Sequence, residues 1–422
     1  MDVDLTTDVL VVGAGGCGLV AALAAAERGA EVLLVEKGPR PEGNTARSGG
    51  MIQAAGTRFQ RAAGVVEGPA DLAADVFHKN GGDCDQAVAR ALCRAAAPLV
   101  EWLVDDLGIE LRFVGDFTYP GHSQLRMHAP PSRTGAELMA GLLAALEQRP
   151  RIQLVCDAPV VELLTDEYGA VSGAVVETSG RERVGAKKVI LALNGYGGNR
   201  QLVREHCPEI ADALYFGHGG NTGEALLWGR DLGAAADYLD AYQGHASVAD
   251  GYGTLVTWAT VMQGGFLVNL EGHRFGDESQ GYSEFARVVL AQPDSRAWLL
   301  FDRRIFERVQ GFQDIQECAA AGAFRHAATI EAFAERAHLP LTALGETLAI
   351  YNRAARGEAP DPFGRQVGPP LDPPFVGVRV TPALFHTQGG LRVDPRARVL
   401  RPDGVPIPNL YAGGGSAAGI SG

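Results

Sequence analysis

The chain has 422 residues, 46% hydrophobic and 21% charged, with a formal net charge of −13. This length supports a large core and roughly two or three domains, and the acidic balance argues against nucleic acid or an anionic membrane as the main partner, since both require a basic footprint. The six cysteines, Cys17, Cys84, Cys93, Cys156, Cys207 and Cys318, are scattered without CxxC spacing, so no zinc, iron–sulfur or c-type haem site is expected and a reducing, cytoplasmic setting is.

Asp8 to Glu36 reads as strand, turn, helix, strand. Val9 to Val12 is a short apolar run, Gly13-Ala14-Gly15-Gly16-Cys17-Gly18 a tight glycine turn, and Leu19 to about Arg28 an Ala/Leu-rich helix. A second apolar run, Val32 to Val35, ends on Glu36. In such a unit Gly13 permits the turn, Gly15 lets the backbone approach a pyrophosphate, and Gly18 lets the helix pack on the sheet. The helix N-terminus offers N–H groups and partial positive charge to phosphates. Glu36 is placed to accept hydrogen bonds from ribose hydroxyls. The unit is a dinucleotide cradle open to FAD or NAD. A strand beginning by about Asp8 leaves no room for a signal peptide, and no apolar run is long enough to span a bilayer.

Asn44 to Gly50 is a loop of small and hydroxyl residues with available N–H groups, suited to a diphosphate or ring edge or simply to solvent. Residues 69–108 predict helix, and Phe113 to Tyr119 irregular or β structure. Pro130 and Pro131 stiffen a loop carrying Arg126, His128 and Arg133, and Thr134 with Glu137 marks a helix start. Those arginines suit a carboxylate, or equally a solvated surface. Ile152 to Cys156, Ala158 to Leu164 and Val171 to Thr178 read as a β-meander. A buried strand from Lys187 then enters a second glycine turn around Gly195, and Gly219 to Glu224 opens a helix. From about Asp240 the character changes: His245, then Thr257-Trp258, a strand from Gly265 to Asn269, and a helix carrying Tyr282. Residues 315–355 predict helical scaffold, and the Pro-rich Ala359 to Pro374 has the composition of a hinge or linker. A closing meander runs through His386 and Gly389 to Gly413.

These pieces in order resemble the fumarate reductase/succinate dehydrogenase flavoprotein superfamily. The resemblance rests on GAGGCG with Glu36, NTARSGG (44–50), VILALNGYGGN (189–199), TGE (222–224), NLEGHRFGDE (269–278), HTQGGLRVD (386–394) and PNLYAGG (408–414). Residues 272–293 look most like tricarballylate dehydrogenase and neighbouring single-chain dehydrogenases. The resemblance implies an α/β fold: a Rossmann-like, glutathione reductase-type FAD-binding domain (1–239 and 387–422) with an inserted α+β capping domain (240–386). It settles FAD over NAD and places substrate between cap and isoalloxazine. The implied cofactor residues are Gly13, Gly15, Gly16, Cys17, Gly18, Glu36, Lys37, Asn44, Thr45, Ser48, Gly49, Gly50, Val160, Gly195 and Gly413. No histidine lies between Lys37 and Met51, so the FAD is expected to be non-covalent. No metal is implied. Relatives continue into a further helix that can carry a substrate arginine; the sequence ends at Gly422 before it.

By the same resemblance His245 and His386 sit at the family's substrate histidines and Thr257 at its substrate threonine, with Gly389 beside the substrate. Arg126 and Arg133 are candidate anchors for an anionic substrate. Trp258 replaces a glutamate, Val261 a proton-relay arginine, and Tyr282 falls on or near the catalytic arginine, which argues against fumarate itself. The implied chemistry is hydride transfer at flavin N5 to or from a C–C bond beside a carboxylate or ketone, with Tyr282 as proton carrier and an electron acceptor that is not identified. An ordinary phenol has a pKa near 10, so its use as a base at pH 7 costs roughly 4 kcal/mol unless a cation helps; His245 and Arg126 are the candidates. Three other readings stand: a ketosteroid dehydrogenase-like enzyme with Trp258, Phe266 and Tyr282 lining an apolar slot, a flavin-binding protein without turnover, and an NAD-dependent dehydrogenase, which would need a nicotinamide site.

Overall fold

The computed structural model describes residues 3–116, 118–119 and 121–420. The chain divides into two compact units, one of Met1–His206, Gly217–Tyr242 and His386–Gly422, the other of Cys207–Phe216 and Gln243–Phe385.

The first unit is built on a sheet whose order is Arg398–Leu400, Pro406–Ala412, Arg181–Leu191, Leu5–Val12, Val32–Val35, Ile152–Val155. All neighbours on this path run parallel except the Arg398–Leu400 edge. Val32–Val35 is buried along its whole length, and Leu10, Val11 and Val12 are at most 2% exposed, as a parallel sheet covered on both faces requires. The helix Gly16–Glu27 packs Leu19, Ala22 and Leu23 against one face. Val160–Thr165 and Val171–Glu177 form an antiparallel meander with Arg181–Leu191. Ile152–Val155, expected in that meander, instead pairs parallel with Val32–Val35, because its register continues the βαβ order. The long helix expected over 69–108 is two helices, Pro69–Lys79 and Gln86–Asp105. Gly81 and Gly82 take positive φ between them, and Asp85 caps the second by accepting from Ala87 and Val88 N–H. Of the segment Phe113 to Tyr119, Arg112–Val114 is strand, while Phe117 lies outside the described residues, as does Gly422.

The second unit is centred on the long strand Phe375–Thr387, which pairs with Leu214–Tyr215, Ala297–Asp302, Arg325–Ala327 and Tyr242–Ala249. The parallel pairing of Leu214–Tyr215 with Ala383–Leu384 draws Cys207–Phe216 into this unit, outside the segment 240–386. The helical scaffold expected over 315–355 is interrupted by the strand Arg325–Ala327. The Pro-rich segment is packed rather than a free linker: Asp361 and Arg365 are at most 9% exposed and join a buried ion network with Arg274 and Glu278. Tyr282 precedes its helix, which spans Glu284–Leu290, because Gly281 at φ 113° interrupts the helical path. No helix among the described residues is long and apolar enough to cross a membrane.

Candidate active site

Within the first unit the strand ends and glycine turns enclose a cavity of about 390 Å³. Gly13, Gly15, Gly16, Cys17, Glu36, Lys37, Asn44, Thr45, Val160 and His386 of the expected residues line it. The three motif glycines act by different sterics. A Cβ on Gly13 would lie 2.4 Å from the Ala192 carbonyl oxygen, and one on Gly18 only 1.8 Å from that of Gly13. On Gly15 it would meet nothing within 4 Å, so there the missing side chain leaves space in the cavity itself. The N-cap of the Gly16–Glu27 helix, Gly15, has no side chain to cap it; Gly16 N donates to Thr45 Oγ1 at 3.2 Å, and the helix start lies at the cavity wall. Glu36 is held by two backbone donors: Oε2 accepts from Ala14 N at 2.9 Å and Oε1 from Gly38 N at 2.9 Å. Each oxygen keeps a further lone pair for a hydroxyl.

The opposite wall comes from residues in and around the Gly219–Glu224 helix start and its TGE motif, none of which was expected to hold the cofactor. His218, Asn221, Glu224 and Trp228 line the cavity. Asn44 Oδ1 accepts from His218 N at 2.7 Å and Asn221 Nδ2 at 3.0 Å, which ties the small-residue loop to this wall. Lys37 Nζ donates to Glu224 Oε1 at 2.7 Å and Thr222 Oγ1 at 3.0 Å. Burial pushes the Glu224 carboxyl up, but the hydrogen bonds from Lys37 and Thr222 outweigh it and hold the group below its ordinary range. Glu224 Oε2 is buried without a hydrogen-bond partner, an acceptor available to a bound group. Donors at a helix N-terminus, a fixed acid, a bare glycine and an orphan acceptor are the set an FAD requires, so the residues fit that cofactor. No cluster of His, Cys, Asp or Glu among the described residues could hold a metal ion.

Gly18, Ser48, Gly49, Gly50, Gly195 and Gly413 are not among the lining residues and act one layer behind. Ser48 O accepts from Gly135 N, and its Oγ donates to Thr45 O at 2.8 Å. A Cβ on Gly50 would lie 2.6 Å from Thr134 O, on Gly195 2.2 Å from Thr387 Oγ1, and on Gly413 2.9 Å from Cys17 Sγ. Gly49 lies near Arg133 O, and Gly389 needs its hydrogen because a Cβ would stand 2.1 Å from Tyr238 O. His386 sits on the cavity wall with its imidazole pushed down by burial.

The second unit brings His245, Tyr282 and Trp258 together. Gln243, His245 and Ser247 alternate along one face of the strand Tyr242–Ala249. The His245 ring stacks on Tyr282 (centroids 4.7 Å, 21°) and on Phe385 (5.1 Å, 15°), with Trp258 edge-on at 6.2 Å. Burial pushes the His245 imidazole down to about 3, so it is neutral at physiological pH. Its Nδ1 accepts from Ser247 N at 3.2 Å, which puts the remaining proton on Nε2. His245 is therefore not the cation expected to help the Tyr282 phenolate. Val256 N donates to Ser247 O, fixing Thr257 beside this strand, where its own carbonyl accepts from Thr260 Oγ1 at 2.7 Å.

Arg126 is not available either. It is fully buried, with Nη2 2.7 Å from Glu67 Oε2 and Nη1 2.5 Å from Asp75 Oδ2, so its charge is already neutralised. Arg133, at φ 54°, forms a surface pair with Asp116 at 2.7 Å. Phe266 is core, packed at 4.6 Å on Tyr351 rather than lining a slot. Arg287 is exposed.

A parallel α/β sheet with a glycine turn, a fixed acid after the second strand and an open glycine approach has the form of a dinucleotide-binding protein. Residues 8–422 match the FAD binding domain family, and the chain belongs to it, within the fumarate reductase/succinate dehydrogenase flavoprotein superfamily. A probable fumarate reductase of Shewanella frigidimarina (strain NCIMB 400) is 30% identical over 427 residues, 99% of this chain and 71% of that protein. The open conformation of a flavocytochrome c3 fumarate reductase gives a TM-score of 0.88 at 29% identity, over 99% of this chain and 74% of that one. A 3-ketosteroid Δ4-(5α)-dehydrogenase of Rhodococcus jostii RHA1, solved with 4-androstene-3,17-dione, gives 0.76 at 25% identity, over 100% and 92%. The chain is an FAD-dependent oxidoreductase of this general type.

Proposed function

We propose that the protein transfers a hydride to or from one carbon of a C–C bond activated by a ketone or a single carboxylate, with Tyr282 moving the proton at the neighbouring carbon. FAD, held non-covalently, supplies the hydride chemistry at N5 when bound. The observation that carries the reading is the neutral His245, stacked on Tyr282 with its proton on Nε2. A neutral N–H donor polarises a carbonyl or carboxylate oxygen and stabilises the enolate that develops there, without adding a charge that the ground state would already use. His386 is proposed as a second such donor and Thr257 as a hydroxyl contact. A protonated phenol is ready to donate at neutral pH, and the same group takes the proton back in the reverse direction.

A tricarballylate-like substrate calls for several cations. Arg126 is committed to Glu67 and Asp75, and Arg133 to Asp116, so a ketone or monocarboxylate asks less of this chain. The aromatic run Tyr282, His245, Phe385, Phe216, with Trp258 at its edge, favours a ketosteroid-like or aryl-bearing substrate as the second reading.

An anaerobic screen of small polycarboxylates, enoates and ketosteroids, in both redox directions, tests this by the oxidised flavin band. A ketone or monoacid should exchange electrons with the flavin, and Tyr282→Phe should slow that exchange by roughly a hundredfold with the flavin spectrum intact. Near-normal turnover in Tyr282→Phe removes the residue from the mechanism. A flavin that responds to none of these compounds supports a binding protein without turnover.

A further inference from the structure

Tyr282 is gripped at three points by a single strand, and its neighbour Ser283 at a fourth. Ala246 N donates to its carbonyl at 2.9 Å, and Gly244 N donates to the next side chain, Ser283 Oγ, at 3.0 Å. Its ring lies on His245, and Gln243 Nε2 donates to its Oη at 3.2 Å. Backbone and ring are thus both in register with Tyr242–Ala249, and the alternation of that strand puts Gln243 and His245 on the same face. The loop holding Tyr282 has no helix of its own to fix it, since Gly281 takes φ 113° and the helix begins at Glu284.

We infer that Gln243 is the positioning residue for Tyr282, its amide N–H fixing the phenol oxygen and favouring the phenolate over the phenol. This rests on the proposed role of Tyr282, but the contact exists independently of it. An amide dipole at the phenol oxygen suits a site where His245 is neutral and Arg126 lies in a closed ion triad. On the flanking segments Glu284 is half-buried at the helix start, Arg287 is exposed on the same helix, and Glu278 on the preceding turn is fully buried and paired with Arg274 and Arg365. A hydrogen bond to a charged oxygen is stronger than one to a neutral oxygen, so the donor discriminates between the two states of the phenol.

The test replaces tyrosine by 3-fluorotyrosine in the purified flavoprotein and follows the ¹⁹F resonance of Tyr282 against pH. With ten tyrosines in the chain, Tyr282→Phe assigns the signal by its loss. Gln243→Leu should raise the Tyr282 titration midpoint by about one pH unit, and Gln243→Glu, which sets a carboxylate beside the phenol, should raise it further. An unchanged or lowered midpoint in Gln243→Leu overturns the inference; a lowered one means that the amide oxygen, not the N–H, meets the phenol. The readout needs no substrate. A shifted midpoint with an inert flavin would sink the proposed chemistry and leave the positioning role standing, and the converse result would do the reverse.

Discussion

Glu278 offers a sharp test of what holds the second unit together. It is 0% exposed and accepts from four donors: Arg274 Nε (3.2 Å) and Nη2 (2.8 Å), Arg365 Nη1 (3.0 Å) and Leu267 N (3.1 Å). Asp361 adds a second carboxylate against Arg274, so two buried cations meet two buried anions. Glu278→Leu leaves this group with an uncompensated positive charge and three guanidinium N–H groups without that acceptor. Each orphaned donor costs about 1–3 kcal/mol, and partial relaxation brings the total to about 3–5 kcal/mol, the usual result of breaking a buried pair from one side. Glu278→Gln keeps the shape but sets an NH₂ against a guanidinium, and should cost about 2–3 kcal/mol. Trp258 and Trp298 are both buried in this unit's core and report its unfolding by fluorescence. The urea midpoint of that transition should fall by roughly 1–2 M in Glu278→Leu. A change equivalent to less than about 1 kcal/mol would refute the view that the network must stay paired.

His245 should make the protein acid-labile. Its imidazole takes a proton below about 6.5 when unfolded but only near 3 when folded, so protons favour the unfolded chain as pH falls across that window. The full loss is about 5 kcal/mol, and His245→Phe, which keeps a ring in the stack, should flatten stability against pH by close to one proton between those limits; an unaltered slope counts against a buried neutral imidazole. Gly15→Ala should fold normally but retain FAD at least roughly tenfold less tightly, since its methyl enters the cavity. Gly18→Ala, with its Cβ 1.8 Å from Gly13 O, should instead destabilise the apoprotein, and equal melting temperatures for the two variants would contradict this division of roles. An Arg126→Ala/Arg133→Ala double variant should lose stability through Glu67 and Asp75 while KM for the best substrate stays within about twofold; a large rise in KM would restore them as substrate anchors.

The cradle was legible in sequence because its chemistry is local. The glycine spacing, the strand before it and Glu36 after it lie within one βαβ unit, and each answers a steric or charge demand that a neighbour imposes. The wall carrying His218, Asn221 and Glu224 was not legible, because what makes it a wall is Lys37 reaching Glu224 and Asn44 reaching Asn221 across separations of 187 and 177 residues. Periodicity could mark Gly219 to Glu224 as a helix start, but not what that start would face.

The same limit explains the arginines. From sequence, Arg126 and Arg133 were equivalent: two cations on a proline-stiffened loop. Folding separates them by their neighbours, since Arg126 meets Glu67 and Asp75 from segments 59 and 51 residues away, while Arg133 remains half in solvent beside Asp116. Apart from those two charges, His245 is neutral and stacked on Tyr282, and Tyr282 is bonded to an amide, so both bring dipoles to the second unit. Dipoles discriminate between oxygen that gains charge and oxygen that already carries it. By the resemblance Tyr282 stands on or near an arginine position; that and the burial of His245 both lower the standing positive charge, which is why we propose a substrate that carries little negative charge.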